Sequence, residues 1–139
     1  MKNLRKNINY KEIALSGLFV ALLVAINHHI ASSAIEHYCN PGIAFGILLP
    51  QVVFTAVWLI TMAIVSFLYL STKREKGNAL KRIGLLMIIV GGIANIIDRL
   101  IHGCVIDYIT LVPWNSFNIA DTSIFLGAML VLWHQWTEK

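Results

Sequence analysis

Charge is scarce in this chain. Its 139 residues hold seven Asp and Glu and eleven Lys and Arg, 13% in all, against 58% hydrophobic residues. A soluble domain of this length could bury a core, but it would need more polar surface to cover it. The two cysteines, Cys39 and Cys104, form no CxxC pair, and HExxH is absent, so neither familiar zinc pattern occurs. His28, His29, His37 and Cys39 gather in one region, yet adjacent His28 and His29 would point to different helix faces, and no metal is expected. Internal repeats and low-complexity tracts are also missing, which leaves one domain over residues 1–139.

What the sequence has instead is apolar length. Four stretches stand out, at 13–26, 52–70, 83–97 and 119–136, two of them extended by polar content at 27–31 and 98–101. About 20 residues cross a hydrocarbon core of about 30 Å. The expectation is an all-α integral membrane protein, a four-transmembrane-helix bundle with short outer loops and spans of about 13–31, 51–71, 79–102 and 118–136.

Charge sets the orientation. Lys2, Arg5, Lys6 and Lys11 precede the first span, Lys73, Arg74, Lys76, Lys81 and Arg82 separate the second from the third, and Lys139 ends the chain. With four spans these regions share one side, which the positive-inside rule makes cytoplasmic, both termini included. The net charge of +4 is therefore a topology signal, and nucleic acid is not an expected partner. Glu36, Asp98, Asp107 and Asp121 fall on the outer side, opposed there by Arg99 alone. The first span has the basic start of a signal peptide, but Asn27, His28 and His29 interrupt the approach to any cleavage site, so the span is expected to stay. Cys39 and Cys104 both lie outside, where a disulfide is permitted; two small apolar residues is the reading preferred.

Local signals refine the bounds. Asn40-Pro41-Gly42 marks a turn, Pro50 suits the start of the second helix, and Gly103 is placed to end the third. Gly91, Asn95, Asp98 and His102 share one face of that third helix. Lipid cannot satisfy such a stripe, so it must face protein or a water-filled cavity. Asn118 can cap the fourth helix, with Asp121 three residues on, in a capping-box-like arrangement. Asp107 leaves the third helix and Asp121 enters the fourth at about the same depth, so two carboxylates can meet at the outer boundary. Taken singly, Asp121 reads as an acid stabilising a helix N-terminus, and Asp98 beside Arg99 as a structural ion pair.

Together these residues resemble a known family. Asn95-Ile96-Ile97-Asp98-Arg99, Gly103, Val105-Ile106-Asp107-Tyr108-Ile109 and Phe117-Asn118-Ile119-Ala120-Asp121 are similar to the motifs of the lipoprotein signal peptidases (signal peptidase II). Asn40-Pro41-Gly42-Ile43-Ala44-Phe45-Gly46 looks like that family's outer-loop element. The resemblance implies a membrane aspartyl endopeptidase that cleaves signal peptides from diacylglyceryl-modified prolipoproteins, on the N-terminal side of the lipid-modified cysteine. It implies Asp107 and Asp121 as the catalytic pair, with Asn40, Gly42, Asn95, Asp98, Arg99, Asn118 and Ala120 supporting the site or the substrate. No cofactor is implied. The partners would be the prolipoprotein and membrane lipids, the protein a monomer, and the location a bacterial cytoplasmic (inner) membrane, multi-pass, with the active site at the outer face. Two carboxyls sharing one proton supply both the base and the acid that metal-free amide hydrolysis needs. A helix N-terminus favours charge on an acid placed there, so Asp107 is expected to hold the shared proton more often.

The chain also departs from the family. The D-Q-x-x-K expected at the end of helix 1 corresponds here to Asn27-His28-His29-Ile30-Ala31, and the outer loop and the 107–121 stretch are short, so any flap is trimmed. Other chemistries fit less well. A Ser-Lys protease lacks an outer Lys, and Ser116 with His102 has no third partner. A small proton-coupled transporter would want an acid near mid-membrane, and the first two spans have none. A catalytically inactive membrane scaffold is the remaining alternative.

Overall fold

Each apolar stretch folds as a helix, because a helix satisfies its own backbone N–H and C=O groups when nothing polar lies alongside. The computed structural model describes residues 10–33, 38–42, 47, 50–74, 76–112 and 115–137. The basic arm with Lys2, Arg5 and Lys6, residues 43–46 of the outer-loop motif, Glu36, His37 and Lys139 lie outside the described residues. The long helices are α1 (Tyr10–Ser33), α2 (Gln51–Ser71), α3 (Ala79–His102) and α4 (Ile119–Thr137), within a turn of the expected spans. Pro50 stands just before α2, its carbonyl accepting from the Phe54 N–H at 2.9 Å. Gly103 ends α3 with φ +77°, a conformation glycine adopts without strain, and its N–H reaches the Arg99 carbonyl at 2.9 Å.

The expectation of an all-α chain needs correcting, because the α1–α2 and α3–α4 connections form two small antiparallel ribbons. β1 (Tyr38–Asn40) pairs with β2 (Val105–Asp107), setting Tyr38 opposite Asp107, Cys39 opposite Ile106 and Asn40 opposite Val105. β3 (Ile109–Val112) pairs with β4 (Asn115–Phe117), with a register shift between Thr110 and Val112. A second correction concerns the cysteines. Cys39 and Cys104 are joined in a disulfide that ties β1 to the end of α3, so they are not two separate apolar residues.

The core lies around α3, which packs against α4 along its length and against α1 and α2 on other sides. Val90, Ala94, Ala120 and Leu23 form its buried apolar cluster. The α3–α4 seam is built from small residues. A Cβ on Gly84 would sit 2.5 Å from the Gly127 carbonyl oxygen, a Cβ on Gly127 would meet Gly84 the same way, and one on Gly91 would lie 2.5 Å from the Ala120 carbonyl oxygen. Backbones this close exclude a side chain, and dispersion between them replaces the hydrophobic drive that lipid removes. Against α2, Gly92 faces Met62 while its carbonyl accepts from Trp58 Nε1 at 3.3 Å. At the opposite end Arg82 stacks on Tyr69 and donates to the Tyr69 and Thr72 carbonyls, closing the α2–α3 turn.

Among the described residues, Val52–Ser71 and Ala79–His102 are each long and apolar enough to cross a membrane. α2 turns Val52, Val57, Leu59, Ile60 and Phe67 outward, an apolar surface of the kind that water disfavours.

The seam makes a clear forecast. Gly127→Leu should lower the unfolding midpoint in detergent markedly, a cost of about 1–3 kcal/mol for overpacking, whereas Leu126→Ala, on an exposed position, should change it little. Thermal unfolding of both variants checks this.

Candidate active site

Three elements converge at the turn end of the α3–α4 hairpin. α3 brings Asn95, Asp98 and Arg99; β2 brings Asp107; the start of α4 brings Asn118 and Asp121. The α4 entry is a reciprocal cap. The Asp121 N–H donates to Asn118 Oδ1 at 2.9 Å, and the Asn118 N–H donates to Asp121 Oδ2 at 3.3 Å. The cap leaves Asp121 Oδ1 free to accept from Asn95 Nδ2 at 2.6 Å.

Asn118, fully buried, joins the two acids. Its Nδ2 donates to Asn95 Oδ1 at 3.0 Å and to Asp107 Oδ1 at 3.4 Å. Asp107 Oδ2 accepts from Asn40 Nδ2 at 3.0 Å. Both carboxylates are thus held by neutral amide and backbone N–H groups, Asp121 by Asn95 and Asn118, Asp107 by Asn118 and Asn40. Each oxygen has capacity for a further partner.

Arg99 supplies positive charge that acts on Asp121, Asp107 and Asp98. Its guanidinium lies over the Phe54 ring at 4.7 Å and donates to the Gly42 carbonyl at 2.6 Å and the Asn95 carbonyl at 3.3 Å. The Gly42 N–H in turn donates to Asn40 Oδ1 at 3.0 Å, which orients the amide that reaches Asp107. The expected Asp98–Arg99 ion pair is therefore corrected. Asp98 Oδ2 accepts from Asn27 Nδ2 at 2.9 Å, while Arg99 turns to the outer turn.

The structure gathers Asn40, Gly42, Asn95, Arg99, Asn118, Asp107 and Asp121 into one network. Asp98 belongs to an adjoining one, and Ala120, fully buried, contributes its close approach to Gly91. His102, from the same α3 face, is exposed and stacks on His28 with centroids 5.8 Å apart.

Two residues that the sequence motifs include, but to which no site role was given, prove central. Asn27, 1% exposed, holds Asp98 and accepts from the Tyr108 hydroxyl at 2.9 Å. That hydroxyl accepts from the Ile119 N–H at 3.2 Å, so α1 is linked through Tyr108 to the start of α4. The available signals were an amide within an otherwise apolar helix and a tyrosine directly after an acid. Among the described residues every buried side-chain nitrogen and oxygen has a partner.

Burial pushes the Asp107 carboxyl up to about 6; Asn40 and Arg99 pull it down, Asp121 and Asp98 push it further up. Burial likewise raises the Tyr108 phenol, keeping its proton available for Asn27.

Comparison with known proteins adds sequence and structural relatives. A family model described as signal peptidase (SPase) II matches residues 5–137. The lipoprotein signal peptidase of Halothermothrix orenii is 35% identical over 100 residues, covering 72% of this chain and 68% of that protein. Those of Blochmanniella pennsylvanica and Neisseria gonorrhoeae are 33% and 40% identical over 68% and 67% of this chain, which spans 62% and 60% of their lengths. A bacterial membrane enzyme solved by the in meso method at 2.3 Å shares the fold, with TM-score 0.69 over 91% of this chain and 90% of that one at 22% identity.

The raised Asp107 carboxyl makes stability depend on pH. An unburied Asp loses its proton near 3.8, the folded one at about 6, so the folded state binds more protons between those values. Stability is then greatest below this window and falls as pH rises through it. The unfolding midpoint should rise as pH drops from 7 toward 5, and Asp107→Asn should flatten that rise and match or exceed the wild-type midpoint at pH 7. Thermal unfolding across this range tests both.

Proposed function

The chain belongs to the signal peptidase II family, and from that premise we propose that it is a membrane aspartyl endopeptidase acting on diacylglyceryl-modified prolipoproteins. It cuts on the N-terminal side of the lipid-modified cysteine. The observation that carries this reading is the pair Asp107 and Asp121, bridged by Asn118 and Asn95 at the end of one helical hairpin.

One member of the pair removes a proton from water as it attacks the scissile carbonyl. The other delivers a proton to the departing amide nitrogen, without which the C–N bond would not break at neutral pH. A carboxyl that keeps its proton up to about 6 supports Asp107 as the proton-holding member. Asn95, Asn118 and Asn40 are neutral, so they orient the carboxylates without replacing the proton by a fixed positive charge. Arg99 offsets the negative charge and holds the Gly42 turn. Gly42 and Asn40, on the outer turn, lie where a bound peptide would be met.

The same reading takes residues 1–139 as one membrane-embedded domain. α1 to α4 cross a bacterial inner membrane as four spans, with both termini and the Lys76 turn in the cytoplasm and the dyad at the outer boundary. The charge distribution supports this orientation. The outward apolar surface of α2 suits lipid, and a site at that depth can hold acyl chains beside the helices. The protein would work as a monomer, without metal.

Purified protein with a lipid-modified prolipoprotein tests the proposal. Asp107→Asn and Asp121→Asn should each reduce turnover by at least roughly 10²–10⁴-fold, the usual worth of an acid–base group, with the double variant scarcely worse than either single. Precursor lacking the lipid should not be cut, and chelators should leave the rate unchanged. The working form carries one proton, so kcat/KM should decline as pH rises through an apparent value of about 6. Normal turnover in Asp107→Asn would overturn the assignment. A reporter fused after Lys139 that is active only outside the cytoplasm would overturn the topology.

A further inference from the structure

Asp107 is held from two directions. Asn118 reaches it from the hairpin itself, and Asn40 reaches it from β1, a segment far away in sequence. β1 is three residues long and, among the described residues, pairs with β2 alone, and a two-stranded ribbon of that length does not hold itself together. Arg99 pins the far side of the turn at the Gly42 carbonyl. The near side is pinned covalently. Cys39 immediately precedes Asn40, and Cys104 immediately precedes the strand that carries Asp107. The 65-residue separation between the cysteines means that nothing in the local chain would otherwise keep these two segments in register.

We propose that the Cys39–Cys104 disulfide is a positioning element of the reaction: it locks β1 onto β2 so that the Asn40 amide stays on Asp107. The inference rests on the reading of Asp107 as a member of the catalytic pair. Its chemistry differs from that of a general staple. Among the described residues, the groups that face Asp107 are Asn40 from β1, Asn118 just before α4 and Asp121 in it, and Asp98 and Arg99 from α3. The α3–α4 hairpin carries all of these except Asn40. Freeing β1 therefore removes the Asn40 donor and slackens the Gly42 turn that Arg99 holds, while Asn118, Asp121 and Asp98 stay on the hairpin. Asn40 donates to the carboxylate and so favours its charged form. When that donor leaves, Asp107 keeps its proton to higher pH and its geometry loosens.

Cys39 is exposed, so a small dithiol can reach the bond, whereas Cys104 is 3% exposed and better left unsubstituted. The experiment compares wild type, wild type treated with dithiothreitol, Cys39→Ser, Asn40→Ala and the double variant, using the lipid-modified precursor. Cys39→Ser and the reduced wild type should each lose about tenfold in kcat, the worth of a hydrogen bond to a charged group, with KM within about twofold. The alkaline limb of the pH profile should move upward by up to about one unit, as in Asn40→Ala. The double variant should be no worse than Asn40→Ala alone, and dithiothreitol should not affect Cys39→Ser. A lower unfolding midpoint with kcat and the pH profile unchanged would make the bond a staple only and overturn the inference. If Cys39→Ser fails to insert, reduction of the folded wild type gives the same reading. Turnover retained in Asp107→Asn would instead overturn the dyad, and this inference with it, whatever the cysteine variants do.

Discussion

Two carboxylates can be held together at the end of an apolar hairpin only if neutral donors meet their oxygens. Positive partners would fix both charges, and no partners would leave burial uncompensated. The chain meets this constraint with carboxamides. Asn118 is at once the cap of α4 and the bridge to Asp107, and Asn95 links that cap to α3. The one guanidinium in the region is turned away, onto backbone carbonyls and the face of Phe54.

The rest of the fold serves that network by bringing α3 and α4 together. The mutual approach of Gly84 and Gly127, and of Gly91 to the Ala120 carbonyl, sets the distance between the helices from one end to the other. Ser123, which donates to the Met87 carbonyl at 3.0 Å, adds a polar link along the same seam. Larger residues there would part the helices, and Asn95 would no longer span the 2.6 Å to Asp121.

Much of the helical framework was legible in the sequence because long apolar runs are a strong signal. The ends of α3, the Gly103 stop and the Asn118–Asp121 cap follow from residue types whose backbone chemistry is local. The Asn95–Asp98 face follows from helical periodicity. What the sequence concealed was long-range. Asp98 and Arg99 are neighbours in the chain, but successive residues on a helix point about 100° apart, so adjacency did not make a pair. Strands of three or four residues are too short to show alternation, and the ribbons passed unnoticed. Two cysteines carry no spacing pattern, so their meeting depends on how β1 folds back over α3. Asn27 looked like a departure from a motif; its amide donates to Asp98 and accepts from Tyr108, a double contact that no local rule specifies.

Asn27 also has a place in time. It leaves the ribosome with α1, and its two partners lie 71 and 81 residues further along the chain. At a synthesis rate of about 5–20 residues per second, the amide waits on the order of 4–16 s for Tyr108 to be made. During that interval α1 carries a polar group whose two later partners do not yet exist. Only when the last hairpin arrives does the amide find Asp98 and the Tyr108 hydroxyl, and through it the start of α4. The amide of α1 is thus satisfied only once the α3–α4 hairpin docks against it.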